Sequence, residues 1–308
     1  MKPINKIVIA FVFVLSFGLH GCYEEYAKDF DYSAVYFGEQ KPLRTLVTRT
    51  DQPELVFKIG ATIGGLRENT KGYDVEYELA PDLLATVDGA NKFKLLPSSC
   101  YTIENDNNFT FHIPEGKIIG DCQVRINKNA FVALQGSLEA AYVIPLRLLS
   151  TTADTILADK NYTIIAVKYI DEHSGNYYCK GWRAEWNGTD TINTVSYSRV
   201  DLSANKIRSL TTMSLTRFDM PGITEDLGYN DAYPAAVDHL IINMNQGEVT
   251  LETQKGCSPV VFRSASYNAD AKTFILDYLY TREGKQYLIN EELVLRQDVE
   301  KELRFENW

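Results

Sequence analysis

The sequence runs to 308 residues with 31 basic and 41 acidic side chains, a formal charge of −10. Apolar residues make up 45% and charged ones 23%, the proportions of a folded globular chain, which excludes a disordered one. The acid excess excludes a nucleic-acid partner, which requires a Lys/Arg-rich face against phosphate.

Residues 1–21 read as a lipoprotein signal peptide. Lys2 and Lys6 precede an apolar run from Ile7 to Leu19, too short to span a bilayer core of ~30 Å as a helix. The run ends in Leu19-His20-Gly21-Cys22, a cysteine after a small residue that resembles a bacterial lipobox. Cys22 is thus the expected lipidation site, and its acyl chains the expected membrane attachment. Residues 22–33 form a polar tether. Its acidic residues resemble the export tag of Bacteroidetes surface lipoproteins, which implies an outer-membrane location facing the cell exterior; an ordinary solvated linker is the alternative.

From residue 34 the dominant period is two. Leu55, Phe57, Ile59 and Ala61 alternate with Glu54, Lys58 and Gly60, and Tyr73, Val75, Tyr77 and Leu79 with Asp74, Glu76 and Glu78. Phe109, Phe111 and Ile113 follow the same rule, and so do Cys122, Val124 and Ile126. Such alternation marks strands with one buried face. The apolar spacing across Phe131–Leu138 suits one short helix. Strands near Tyr142–Leu149 and Tyr162–Ile170 bring the number to roughly seven, which suits an immunoglobulin-like sandwich over 34–171. Pro145 is expected at an edge or a bulge.

A second β unit is expected over 172–308. Its strands are Asn176–Arg183, Thr194–Asp201, Lys206–Thr216, His239–Asn245, Glu248–Thr253, Val260–Tyr267, Thr273–Thr281 and Gln286–Arg296. Short turns such as Arg282-Glu283-Gly284-Lys285 join the last of them. Eight strands in a meander match a small lipocalin/calycin-like barrel, with a second sandwich as the competing architecture.

The lipobox, Leu95-Leu96-Pro97 followed by Tyr101, Ile113-Pro114-Glu115-Gly116-Lys117 and Tyr142-Val143-Ile144-Pro145-Leu146-Arg147-Leu148 together resemble the Ig-like N-terminal domain of Bacteroidetes surface lipoproteins. That domain also stands in front of some glycoside hydrolases and glycan-binding modules of polysaccharide-utilisation systems. Ser174-Gly175-Asn176-Tyr177-Tyr178 and the stretch Ser266–Phe274 are similar to the lipocalin-like domain that often follows it. The resemblance implies an all-β, two-module surface lipoprotein and carries no catalytic set with it.

Enzyme signatures are missing: there is no Gly-x-Ser-x-Gly, no His-Glu-x-x-His, no phosphate-binding loop and no dinucleotide glycine fingerprint. No catalytic residue, cofactor or metal site is expected. His112, His173 and His239 are widely spaced and read as surface or capping residues. Glu291 and Glu292 are adjacent on a strand and point to opposite faces, so they cannot form a catalytic pair. Cys100, Cys122, Cys179 and Cys257 are expected as free buried thiols, with one bridge as the alternative.

Two stretches are candidates for ligand contact. The long segment Phe218–Asp238 carries Tyr229 and Tyr233 on a Pro/Gly scaffold, and connections of such length are commonly functional. Its Asp226–Asp231 stretch reads as solvated loop charges, with calcium as the alternative. In Trp182-Arg183-Ala184-Glu185-Trp186 both indoles fall on one face, with the small Ala184 between them. Flat rings pack on sugar C–H faces, while Arg183 suits hydroxyls; the competing reading has the two Trp filling the barrel or capping its mouth. The function expected is non-catalytic: a surface-anchored, carbohydrate-binding or accessory protein of a polysaccharide-utilisation system, its partners the membrane and glycans or other surface proteins. A protein-interaction module and a carrier of a small hydrophobic ligand are the alternatives.

Overall fold

The computed structural model describes residues 31–104, 109–224 and 238–308. Cys22, Tyr229, Tyr233 and the Asp226–Asp231 stretch lie outside them. The chain is all-β, a sandwich followed by a nearly closed barrel.

The sandwich uses β1 (Asp31–Tyr36), β2 (Pro42–Thr48), β3 (Glu54–Leu66), β4 (Tyr73–Leu79), β5 (Lys94–Leu95), β6 (Tyr101–Ile103), β7 (Thr110–Ile113), β8 (Ile119–Asn127), β9 (Tyr142–Thr151), β10 (Thr155–Ile156) and β11 (Tyr162–Asp171). One sheet has the order β10-β1-β3-β8-β6; the facing sheet runs β2-β11-β9-β4-β7, with β5 also paired to β9. The alternation read in β3, β4, β7 and β8 turns Leu55, Ile59, Tyr73, Val75, Phe111 and Val124 into one core between the sheets. The short helix is Lys128–Val132; the Asn127 side chain caps it by accepting from the Ala130 N–H at 3.1 Å.

Pro145 is a correction. It sits in β9, an interior strand between β11 and β4, not at an edge. Its missing donor falls where β4 has ended: the register stops at Leu79–Leu146, and beyond it only the Ala80 N–H returns to the Pro145 carbonyl, at 3.0 Å. The reciprocal bond that Pro145 cannot make would go to the Ala80 carbonyl, which accepts instead from the Leu83 N–H at 3.1 Å, so proline leaves no acceptor stranded there.

The barrel is built from β12 (Gly175–Trp186), β13 (Thr191–Ser196), β14 (Lys206–Ser214), β15 (Arg217–Pro221), β16 (His239–Asn245), β17 (Glu248–Thr253), β18 (Val260–Asn268), β19 (Thr273–Arg282) and β20 (Lys285–Leu295). Its order is β17-β16-β15-β14-β12-β20-β19-β18, an eight-stranded meander in which β17 and β18 lie side by side at the closing seam. β15 takes the first residues of the segment expected to be a loop, with Phe218 and Met220 in the core. The stretch expected as the second strand is shifted: β13 covers Thr191–Ser196 and is an extra ribbon on β12, outside the meander. The interior is filled by Tyr177, Phe218, Phe274, Tyr278 and Tyr280, all nearly inaccessible to solvent.

The chain then crosses back. After a short helix (Val299–Glu302), β21 (Glu306–Asn307) pairs with β2 in the sandwich. The Trp308 indole N–H donates to the Ile164 carbonyl at 2.6 Å, and its ring meets Phe93 edge-on at 4.8 Å. The alternating pattern held no sign of this return, since a two-residue pairing is too short to show a period.

Candidate functional site: the outer face of the barrel

The β12–β20 register is unbroken and places Trp182 opposite Asn290, Arg183 opposite Ile289, Ala184 opposite Leu288 and Trp186 opposite Gln286. Ile289 is in the core, so Arg183 turns inward while Trp182, Ala184 and Trp186 turn outward. The two indoles therefore share a face, as the spacing predicts, and they stand on the outside of the barrel rather than in its core. Arg183 does not join them; its guanidinium lies over the Tyr287 ring, 5.8 Å from the centroid.

The topology brings other residues to the indoles. Asn290 is opposite Asp277 on β19, so Trp182, Asn290 and Asp277 form one row across three strands. Ala184, Leu288, Leu279 and Val261 form the next row. Arg263 of β18 pairs with Asp277 (Nε to Oδ1, 2.8 Å), and its guanidinium reaches the Trp186 ring at 5.8 Å. The Trp186 and Arg263 side chains thus meet above β20 and β19. That explains why Ala184 and Leu288, though outward in register, are only 0% and 8% exposed. Both indoles remain half-exposed. Arg263, Asp277 and Asn290 could not be read from local sequence, because their nearness depends on strand order.

Inside the barrel lies a buried polar cluster. Glu291 is wholly buried and Arg208 is 7% exposed. Arg208 Nη1 donates to Glu291 Oε2 at 3.0 Å and to the Ile223 carbonyl at 3.0 Å; Nη2 donates to the Gly222 carbonyl. The Tyr197 hydroxyl donates to Glu291 Oε1 at 2.9 Å, and the Tyr278 hydroxyl lies 3.1 Å from Oε2. Tyr197 gets there by passing over Gly181, where a Cβ would come within 2.8 Å of its hydroxyl and 2.4 Å of the Asn290 carbonyl. Burial is the largest influence and opposes the Arg208 charge, but the facing Glu291 carboxylate, together with Cys179, Tyr278 and Tyr197, holds the guanidinium above its ordinary pKa. With every oxygen of Glu291 engaged, the cluster is a sealed structural node. Glu292, by contrast, faces outward to Lys180 at 2.8 Å.

The histidines are occupied locally. His112 Nδ1 is 2.7 Å from Asp74, His173 Nδ1 is 2.6 Å from Asp171 and His239 Nδ1 is 2.8 Å from Asp219. Among the described residues no three His, Cys, Asp or Glu side chains gather as a metal would require. Cys100 and Cys179 are buried free thiols, and Cys122 and Cys257 are free and half-buried.

Burial raises the hydroxyls of Tyr267 and Tyr280 to about 12 and those of Tyr177, Tyr197 and Tyr278 further still. Unfolded tyrosines ionise near pH 10. The native state keeps these protons while the unfolded state loses them, so their contribution to stability is complete below about pH 10 and is lost as pH rises through 12. Urea midpoints at rising pH are expected to be level up to about 9.5 and to fall steadily beyond 10; a level midpoint at pH 11.5 would contradict the buried-tyrosine account.

A sandwich followed by a meander barrel, with a two-indole shelf outside and a closed polar node inside, defines a two-module all-β protein. A family model described as a "-like, N-terminal domain" matches residues 29–155. A structural-genomics protein of unknown function from Bacteroides ovatus is similar over 86% of this chain and 95% of its own, with 20% identity and a TM-score of 0.66, which shows the shared fold. An auxiliary nutrient binding protein from Bacteroides thetaiotaomicron aligns over 82% of this chain and 89% of its own, at 12% identity and a TM-score of 0.37. No curated protein matches the chain.

Proposed function

We propose that this is a non-catalytic, surface-tethered glycan-binding protein, held at the outer membrane by lipid on Cys22 and accessory to a polysaccharide-utilisation system. The observation that carries the reading is the pair of outward, half-exposed indoles on β12, bordered on the same face by Asn290, Asp277 and Arg263. A sugar ring needs such a mixture: an apolar plane for its C–H face and planar polar groups for its hydroxyls. Four residues along a strand separate the backbones of the two tryptophans by about 13 Å, longer than one sugar ring, so the shelf suits an oligosaccharide. The carrier alternative is disfavoured, because a hydrophobic cargo would have to displace the tightly packed Tyr177, Phe274 and Tyr278.

Glycan-array binding by the full chain, followed by titration of the best oligosaccharide against Trp186→Ala, tests the reading. The variant is expected to bind at least about tenfold more weakly, roughly 1.4 kcal/mol. Equal affinity, or no signal for any polysaccharide, would sink it. A second reading, docking of another surface protein, is favoured by Val261 and Ile275, which are 53% and 47% exposed beside the shelf.

A further inference from the structure

At the edge of the sandwich a cleft of about 250 Å³ opens between the two sheets, with Phe37, Ile59 and Ile165 among its lining and Arg44 in its wall. Arg44 stands opposite Val167 of β11, so strand alternation turns it to the core side, where an apolar residue is the rule. It forms no hydrogen bond or ion pair with any described residue, and its Nε is buried without an acceptor. Burial lowers its pKa. The contrast with Arg208, which burial provides with Glu291 and several carbonyls, is direct.

The nearby acids do not serve Arg44. Asp121, on the cleft rim, is taken by Lys58 at 3.1 Å, and Glu39 accepts from the Asn307 amide at 3.4 Å. A half-desolvated guanidinium with no acceptor costs free energy that a bound anion would recover. Two further groups shape the site. Thr163, 3% exposed, lines the same cleft. Phe305, next in the β2–β21 register and 58% exposed, lies beneath the Arg44 guanidinium at 5.7 Å.

We propose that this cleft binds the carboxylate of a single acidic sugar ring, a uronic acid, with the two Arg44 Nη groups donating side by side to the two carboxylate oxygens. The planar fork of arginine matches a carboxylate in that geometry. The volume falls short of the ~300–1,000 Å³ of larger ligand clefts, which sets the occupant at one ring. The site is in the sandwich, away from the indole shelf; the anion site stands on Arg44 alone, and the choice of a sugar as its bearer rests on the glycan-binding reading.

Calorimetric titration of the full chain with sodium glucuronate, glucose and sodium acetate tests the proposal. Glucuronate is expected to bind at least about tenfold more tightly than either of the others, and Arg44→Gln to lose about tenfold or more of that affinity. Should the Gln variant fail to fold, Arg44→Lys, which keeps the charge but not the fork, is expected to weaken glucuronate severalfold. Undiminished binding by the variant that folds, acetate or glucose binding as well as glucuronate, or no glucuronate binding by the native chain would each overturn the proposal.

Discussion

Arg208→Met is expected to lower the free energy of unfolding by about 3–5 kcal/mol, because it strands the wholly buried Glu291 carboxylate without its counter-charge. Both partners are secluded, so solvent screening does little to soften the loss. The same change also releases the carbonyls of Gly222 and Ile223, which Arg208 holds at the end of β15. Replacing both partners, Arg208→Met with Glu291→Met, is expected to cost clearly less than the single change, since no uncompensated charge remains. Urea unfolding of the two variants checks this. A single-variant loss below about 1 kcal/mol would show that water reaches Glu291 and that the node is not sealed.

The second large effect belongs to the sandwich. Phe111→Ala is expected to cost about 3–5 kcal/mol. Phe111 is 1% exposed and stacks on Tyr77 at 4.1 Å with an interplanar angle of 14°, while Phe37 approaches it edge-on at 6.2 Å. It therefore ties β4 and β7 of one sheet to the residue that follows β1 of the other. Phe109→Ala provides the comparison, because Phe109 also touches Tyr77, at 5.5 Å, but is 47% exposed. It should cost no more than about 1 kcal/mol. Equal losses at the two positions would mean that the sheets are not clamped through Phe111.

Period-two alternation made much of the fold legible. Phe274, Leu276, Tyr278 and Tyr280 define β19 unambiguously, and the facing strand follows from the Glu283-Gly284 turn. β15 escaped notice because its five residues end in Pro221-Gly222 and run into a loop-like stretch, so Phe218 and Met220 were too few to establish a period. Pro145 could be placed only once β4 was known to stop at Leu79. At the shelf the spacing of Trp182 and Trp186 predicts a common face, but which way that face turns follows from Ile289 on the neighbouring strand. Arg183 illustrates the limit: adjacency in sequence places it on the opposite side from both indoles. The polar node did leave a trace. Glu291 falls in step with Ile289 and Leu293, and Arg208 with Leu210, so each charge occupies an inward position that only the other can neutralise.

The return of β21 to β2 gives the barrel two attachments to the sandwich, the backbone at Asp171–Gly175 and the segment beyond Leu295, which is held there by strand pairing and by the Trp308 indole. Tension applied to the barrel then bears on a covalent link and on a docked strand together. A protease that nicks Asp171–Gly175 leaves the modules held by the docked strand alone, whereas a nick beyond Leu295 leaves the covalent link whole.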